Sequence, residues 1–317
     1  MGEVSRPQPS TPAPTSLRAA AGEGLVDWRS DPAPVDGAPD DGARWHGGWS
    51  LRTPPCRPIV AGPAGCRPGD PRGWDPKRPL IFTGVAFGFE AQLECSVPAD
   101  GVALMDEAAA AFDRGASAAV ATELYRGAQA RQMITDGSAS AGGNRWLTRS
   151  DHPTSALVEL SDAVAGVPLV GALGLVESYL ACCSDVARGV VHVPAALLAP
   201  MLASGLILEP TTPSGRRYTP AGHVVVADCG YTGEGPGTAA QGPQDPGDGV
   251  LWIYATGPLV ARVSPLTSIG TDADVAALIA STNDRVALAQ GMAMVAWGCC
   301  HGGVPVDVTD FGLDLAA

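Results

Sequence analysis

Proline punctuates the first quarter of this 317-residue chain so densely that no core can form there. Between Pro54 and Pro79 it recurs at Pro55, Pro58, Pro63, Pro68, Pro71 and Pro76, never more than five residues apart. Each proline removes a backbone donor and fixes φ, so neither a helix interior nor a central strand runs through such a segment. From Met1 to Pro79 the chain is dominated by Pro, Gly, Ala, Asp and Arg with no sustained apolar period. That composition predicts an extended arm rather than a domain. Trp28, Trp45, Trp49 and Trp74 are unusual company for a solvated tail. An arm lying on neighbouring subunits would give them somewhere to go; a disordered leader with incidental tryptophans is the plain alternative.

Order is expected from Leu80, where Leu80-Ile81-Phe82 and Val85-Ala86-Phe87-Gly88-Phe89 read as extended apolar segments. After Pro98 the period changes. Val102, Met105, Ala109, Phe112, Ala116, Ala119, Val120 and Leu124 follow three- and four-residue spacing, which predicts one long helix over Ala103 to Gln132 with Gly115 as its weak point. Thr135 to Arg149 reads as a polar loop containing Trp146. Leu169, Leu173, Val176 and Leu180 form one stripe of an amphipathic helix over Leu169 to Cys182. A short buried strand follows at Gly189 to Val193, and a helix from Pro194 to about Ala203 stops before Gly205. His223 to Cys229 is a strong strand, and Gly230 to Gly249 reads as a flexible segment. Val250 to Thr256, Leu259 to Val263 and Met292 to Trp297 are strand candidates; Pro305 pushes Val304 to Val308 toward a sheet edge. The fold class is α+β, and no repeat of 20 to 50 residues points to a solenoid or propeller.

A formal charge of −13 opposes broad adhesion to nucleic acid or anionic lipid. No run of 18 apolar residues is present, and Met1 to Ser16 lacks the apolar centre of a secretory signal, so the chain is expected to stay in the cytoplasm that makes it. The eight cysteines are Cys56, Cys66, Cys95, Cys182, Cys183, Cys229, Cys299 and Cys300. None forms a C-x-x-C motif, and the adjacent pairs sit in apolar periodic segments, so buried reduced thiols are expected.

Tests for chemistry return no catalytic, cofactor-binding or metal residue to nominate. Gly230, Gly233, Gly235 and Gly237 follow a strand, but no helix opens after them and no Lys-Ser or Lys-Thr completes a phosphate loop. His46, His152, His192, His223 and His301 are scattered, and His301 beside Cys299 and Cys300 is the one tempting metal cluster. Ser178 has no flanking glycine elbow. Cys229 paired with His192 or His301 is a nucleophile arrangement that the sequence neither selects nor rejects. Asp106 with Glu107, and Asp272 with Asp274, read as carboxylates at helix starts rather than an acid-base pair.

From Leu80 onward the order of elements resembles that of the major capsid proteins of tailed bacteriophages, the HK97-like fold. Gly189-Val190-Val191-His192-Val193-Pro194 and Trp252-Ile253-Tyr254-Ala255-Thr256-Gly257-Pro258 also look like segments of actinobacterial-phage capsid proteins. The resemblance implies an extended arm over 1–79 and a peripheral domain with strand and spine helix over 80–165. It further implies an axial domain over 166–264 and a return to the peripheral domain over 265–317. The hairpin loop that precedes the spine helix in the family falls within Trp45 to Arg78 or within Phe82 to Pro98. The implied function is a non-enzymatic virion protein that self-assembles as hexamers and pentamers into an icosahedral shell in the host cytoplasm. Its implied partners are other copies of itself, scaffold, portal or decoration proteins, and DNA touched non-specifically, with no membrane. A tail-tube or head-completion protein, an encapsulin-like shell and a small-molecule α+β enzyme are the other readings. Some family members weld subunits through a Lys–Asn isopeptide bond; here Lys77 is the single lysine and Asn144 and Asn283 the two asparagines, which predicts a non-covalent shell.

Overall fold

The computed structural model describes residues 35–36, 49–53, 80–84, 86–96, 101–140, 142–153, 156–183, 189–208, 217–263, 267–269, 277–279, 284–297 and 300–311. Most of the arm, Lys77, Asp272, Asp274, Asn283 and Cys299 lie outside them. In chain order the elements are β1 (Val35–Asp36), β2 (Trp49–Thr53), β3 (Leu80–Gly84), β4 (Phe87–Ser96), α1 (Gly101–Arg126) and α2 (Ala128–Thr135). Then come β5 (Val158–Glu159), β6 (Val167–Pro168), α3 (Leu169–Cys183), β7 (Val190–Pro194), α4 (Leu198–Ala203), β8 (Arg217–Tyr218) and β9 (Val224–Asp228). The chain closes with β10 (Val250–Thr256), β11 (Leu259–Val263), β12 (Thr267–Ile269), β13 (Ala277–Ile279), β14 (Asp284–Trp297) and β15 (His301–Asp307).

These strands form three sheets. β2 pairs antiparallel with β3 from Trp49↔Gly84 to Thr53↔Leu80, and β1 adds to the outer side of β2. The paired strands thus bracket the proline-rich stretch in sequence. The second sheet is built on β14, which pairs with β4 from Asp284↔Ser96 to Ala293↔Phe87 and takes β11, β12 and β13 in turn along its other side. Alternation along β4 turns Phe87, Phe89, Ala91 and Leu93 inward while Gly88, Glu90, Gln92 and Glu94 face solvent. On the inward face lies α1, whose Leu104, Met105, Ala108, Phe112 and Ala116 pack on Ala287 and Ala289, with Phe112 stacked on Phe89 at 4.9 Å. The third sheet has seven strands in the order β5-β15-β10-β7-β9-β8, with β6 also on β15. It is covered by α3 through Leu169, Leu173, Val176 and Leu180.

The expected single helix is broken at Gly127, not at Gly115. Gly115 projects into open space, whereas Gly127 has φ 58° and a Cβ there would stand 2.2 Å from Cδ2 of Trp146. Only glycine accepts that conformation with an indole in the way. The break is also capped: both carboxylate oxygens of Glu123 accept from the first amides of α2, Gln129 at 3.0 Å and Ala130 at 2.9 Å. Asp106 and Glu107 sit beyond the first turn of α1, so they do not hold its N-terminus as expected.

Pro305 does not make β15 an edge strand. β15 lies between β10 and the short strands β5 and β6. Trp252, opposite Pro305, turns its N–H away from β15 to the Gly233 carbonyl. The missing proline donor therefore faces the other side, between the Gly302–Gly303 contacts with β5 and the Val306–Asp307 contacts with β6. The chain crosses between the two large sheets after Thr256 and again after Trp297. β11 thus belongs to the five-stranded sheet and β15 to the seven-stranded one.

Candidate functional site

Two regions gather the polar and exposed features: a junction buried between the sheets, and the surfaces left without a partner. At the junction, the loop after α2 is pinned from several sides. Arg145, 7% exposed, donates through Nη2 to the Trp297 carbonyl and stacks its guanidinium on the Trp297 ring at 4.4 Å. Burial lowers its pKa to about 9. Arg149 donates to the Asn144 carbonyl at 2.9 Å and to Asp151 at 3.1 Å, with its guanidinium 4.7 Å from the Trp146 ring centre. His301 Nε2 lies 2.8 Å from the Leu147 carbonyl oxygen, and His152 Nε2 lies 3.0 Å from that of Gly143. The segment read as a plain loop is the bracket that joins α1, β14 and β15.

Beside it lies a second polar group. His192 is fully buried on β7, with Nδ1 3.1 Å from the Tyr231 hydroxyl and Nε2 2.9 Å from Thr256 Oγ1. Tyr125 and Tyr254 both donate to the Glu234 carbonyl at 2.9 Å. Burial pushes all three phenols well above their ordinary value, so they stay O–H donors. The glycine-rich segment is thereby held in place rather than left flexible. Gly230 lies so close to α1 that a Cβ would meet the Thr122 nitrogen at 2.6 Å, and Gly237 exchanges backbone bonds with Thr148 and Ser150. These glycines serve close approach, a role composition alone does not separate from mobility.

The arrangement does not assemble the nucleophile weighed from the sequence. Both ring nitrogens of His192 bond to hydroxyls, and His301 turns to Leu147. Burial, then the Asp228 carboxylate, push the exposed Cys229 thiol up, away from the thiolate. Cys300 is bonded to Cys183, so it is not available to a metal beside His301, and neither cysteine is the free thiol expected. Among the described residues no three His, Cys, Asp or Glu converge on one point, and no helix is long and apolar enough to cross a membrane.

The outward face of α3 carries Val170 (63% exposed), Gly171, Gly174, Leu175, Ser178, Ala181 and Cys182, with the half-buried Glu177 at its edge accepting from the Ala221 N–H at 3.0 Å. The other feature is one of sequence, the segment 49–84. Its sequence holds six cations, Arg52, Arg57, Arg67, Arg72, Lys77 and Arg78, against Asp70 and Asp75, a net charge of +4 in a chain of −13.

No family model matches the chain, and no curated protein matches it. Solved structures do. It is similar to the mature capsid of bacteriophage PhiM1 at 11% identity, over 82% of this chain and 82% of that one, with a TM-score of 0.38. For Mycobacterium phage Che8 the identity is 13%, the coverage 90% of this chain and 95% of that one, and the TM-score 0.37. For the holo-SrpI encapsulin complex of Synechococcus elongatus the identity is 12%, the coverage 76% and 78%, and the TM-score 0.36.

Proposed function

We propose that this chain is the subunit of an icosahedral shell of the tailed-phage capsid type, assembled in the host cytoplasm as hexamers and pentamers around a phage genome. The observation that carries the reading is the order of parts from residue 49. A strand pair, β2 with β3, stands as its own sheet and is followed by β4 and then a 26-residue helix. That helix lies on two long strands drawn from opposite halves of the chain, β4 and β14, while a second sheet with its own helix completes the molecule. This order of parts supports a reading in terms of the hairpin, spine helix, peripheral and axial parts that the resemblance implies.

Charge supports a self-associating role. The exposed carboxylates of a second copy, such as Glu90, Glu94, Asp106 and Glu107, offer the basic 49–84 segment a surface of opposite charge. The outward face of α3, with Glu177 at its edge as the one charge, lets two acidic subunits approach with little like-charge repulsion. A non-covalent shell fits the burial of Asn144, which is 7% exposed with its carbonyl accepting from Arg149. Scaffold, portal or decoration proteins and non-specific DNA contact are the partners this role brings.

Negative-stain microscopy of the expressed chain tests the reading. Closed shells or capsomer rings are expected; a monodisperse monomer at high concentration would overturn it.

A further inference from the structure

Of the three passages of the chain between its two large sheets, the last two lie side by side. One follows β10, where the Gly257 N–H donates to the Cys300 carbonyl at 3.2 Å. The other links β14 to β15 and ends on Cys300, with φ 70° the one non-glycine residue among those described in the left-handed region. L side chains avoid that conformation. In it, Cys300 meets Cys183 at the C-terminal end of α3 across a Cα–Cα distance of 5.6 Å, within the span a disulfide bridges, and the two are bonded. The same helix holds the crossing a second way, through the Tyr179 hydroxyl, which accepts from the His301 N–H at 2.9 Å.

We propose that Cys183 and Cys300 are an oxidative staple on this crossing, open as two thiols in a reducing compartment and closed when the protein meets a small-molecule disulfide. The partly exposed Cys183 loses its proton to solvent and attacks the small-molecule disulfide, releasing one thiol and leaving a mixed disulfide. Cys300, deprotonated in turn, displaces the second thiol. Two protein thiols are oxidised, and the small-molecule disulfide is reduced to two thiols. Cys182 is adjacent in sequence but lies exposed on the outer face of α3 and is unbonded, so it does not compete from within the chain. Once closed, the bond spans 117 residues of sequence and ties the point where the two sheets could shift against each other to the helix of one of them. The inference stands apart from the shell reading: it concerns how the two sheets are held together, whatever the protein assembles into.

The test uses the full chain in a Cys182→Ser background, purified with reductant and divided between oxidised glutathione and dithiothreitol. After thiol blocking, peptide mapping of the oxidised half is expected to show a linked Cys183–Cys300 peptide that is missing from the reduced half. Amide exchange at Gly257 and His301 should be slower by about tenfold or more in the oxidised half. A Cys300→Gly variant, which keeps the positive φ accessible, should exchange at the reduced rate under both conditions. A linked peptide joining Cys299 or Cys229 instead, no linked peptide, or equal exchange in the two halves would overturn the proposal. The comparison of oxidised with reduced parent protein decides it even if the variant does not fold.

Discussion

Acid is the sharpest probe of the polar core, because His192 sits where an imidazolium is hardest to hold. Burial, with a smaller push from His301, depresses its pKa to about 3, against about 6.5 for a free imidazole. Between those values the unfolded chain carries a proton that the folded protein does not. Stability from this group is therefore complete above about pH 6.5 and falls as pH drops toward the folded value. At about 1.4 kcal/mol per pKa unit, the two units between pH 6.5 and 4.5 remove about 3 kcal/mol, a large share of the 5–15 kcal/mol typical of a folded domain. Urea titrations of unassembled protein at pH 7, 5.5 and 4.5, followed by the fluorescence of the buried Trp146 and Trp297, read the loss. A His192→Gln variant keeps an acceptor and donors for Tyr231 and Thr256 but has nothing to titrate. Its loss between pH 7 and 4.5 should be smaller than the parent's by about 3 kcal/mol. Identical pH dependence in the two proteins would refute the account of this site.

Gly127→Ala should destabilise the chain by about 3 kcal/mol, from the left-handed backbone and the collision with Trp146 together; Gly115→Ala, facing open space, should stabilise it slightly in the same thermal melts. Boiling assembled particles in detergent with reductant should release a single band near 32.1 kDa, and a ladder that vanishes in Lys77→Ala would show covalent welding. Reversing the hairpin's charge with Arg72→Glu and Arg78→Glu should slow assembly, and raising salt should slow the parent's assembly too; light scattering that is blind to both changes would remove the electrostatic argument.

α3, β7, β10 and β11 fall within a residue or two of their expected bounds, α3 from its one-sided apolar stripe and β7 and β10 as apolar runs buried on both faces. The misses share a physical cause, dependence on residues far away in sequence. Nothing local marks Gly127 as the helix break; Trp146 and the cap from Glu123 decide it. Glycine content in 230–249 reads as mobility until Tyr125, Tyr254 and Thr148 are seen to pin the backbone. The β2 strand is hidden because five residues beside a proline-rich stretch show no pattern until β3 supplies a partner. Cys183 and Cys300 lie 117 residues apart, and no spacing rule joins them. The bracket of Arg145, Arg149 and His301 was equally invisible, although two arginines flanking a tryptophan in an otherwise small, polar loop were a signal that could have been read.

The central claim is that this chain builds a closed shell, and cryo-electron microscopy of the expressed, unmodified protein tests it most directly. The account predicts icosahedral particles made of fivefold and sixfold capsomers, with the 49–84 hairpin of each subunit reaching across a neighbour. Compact monomers, or open rings stacked into a tube, would contradict it.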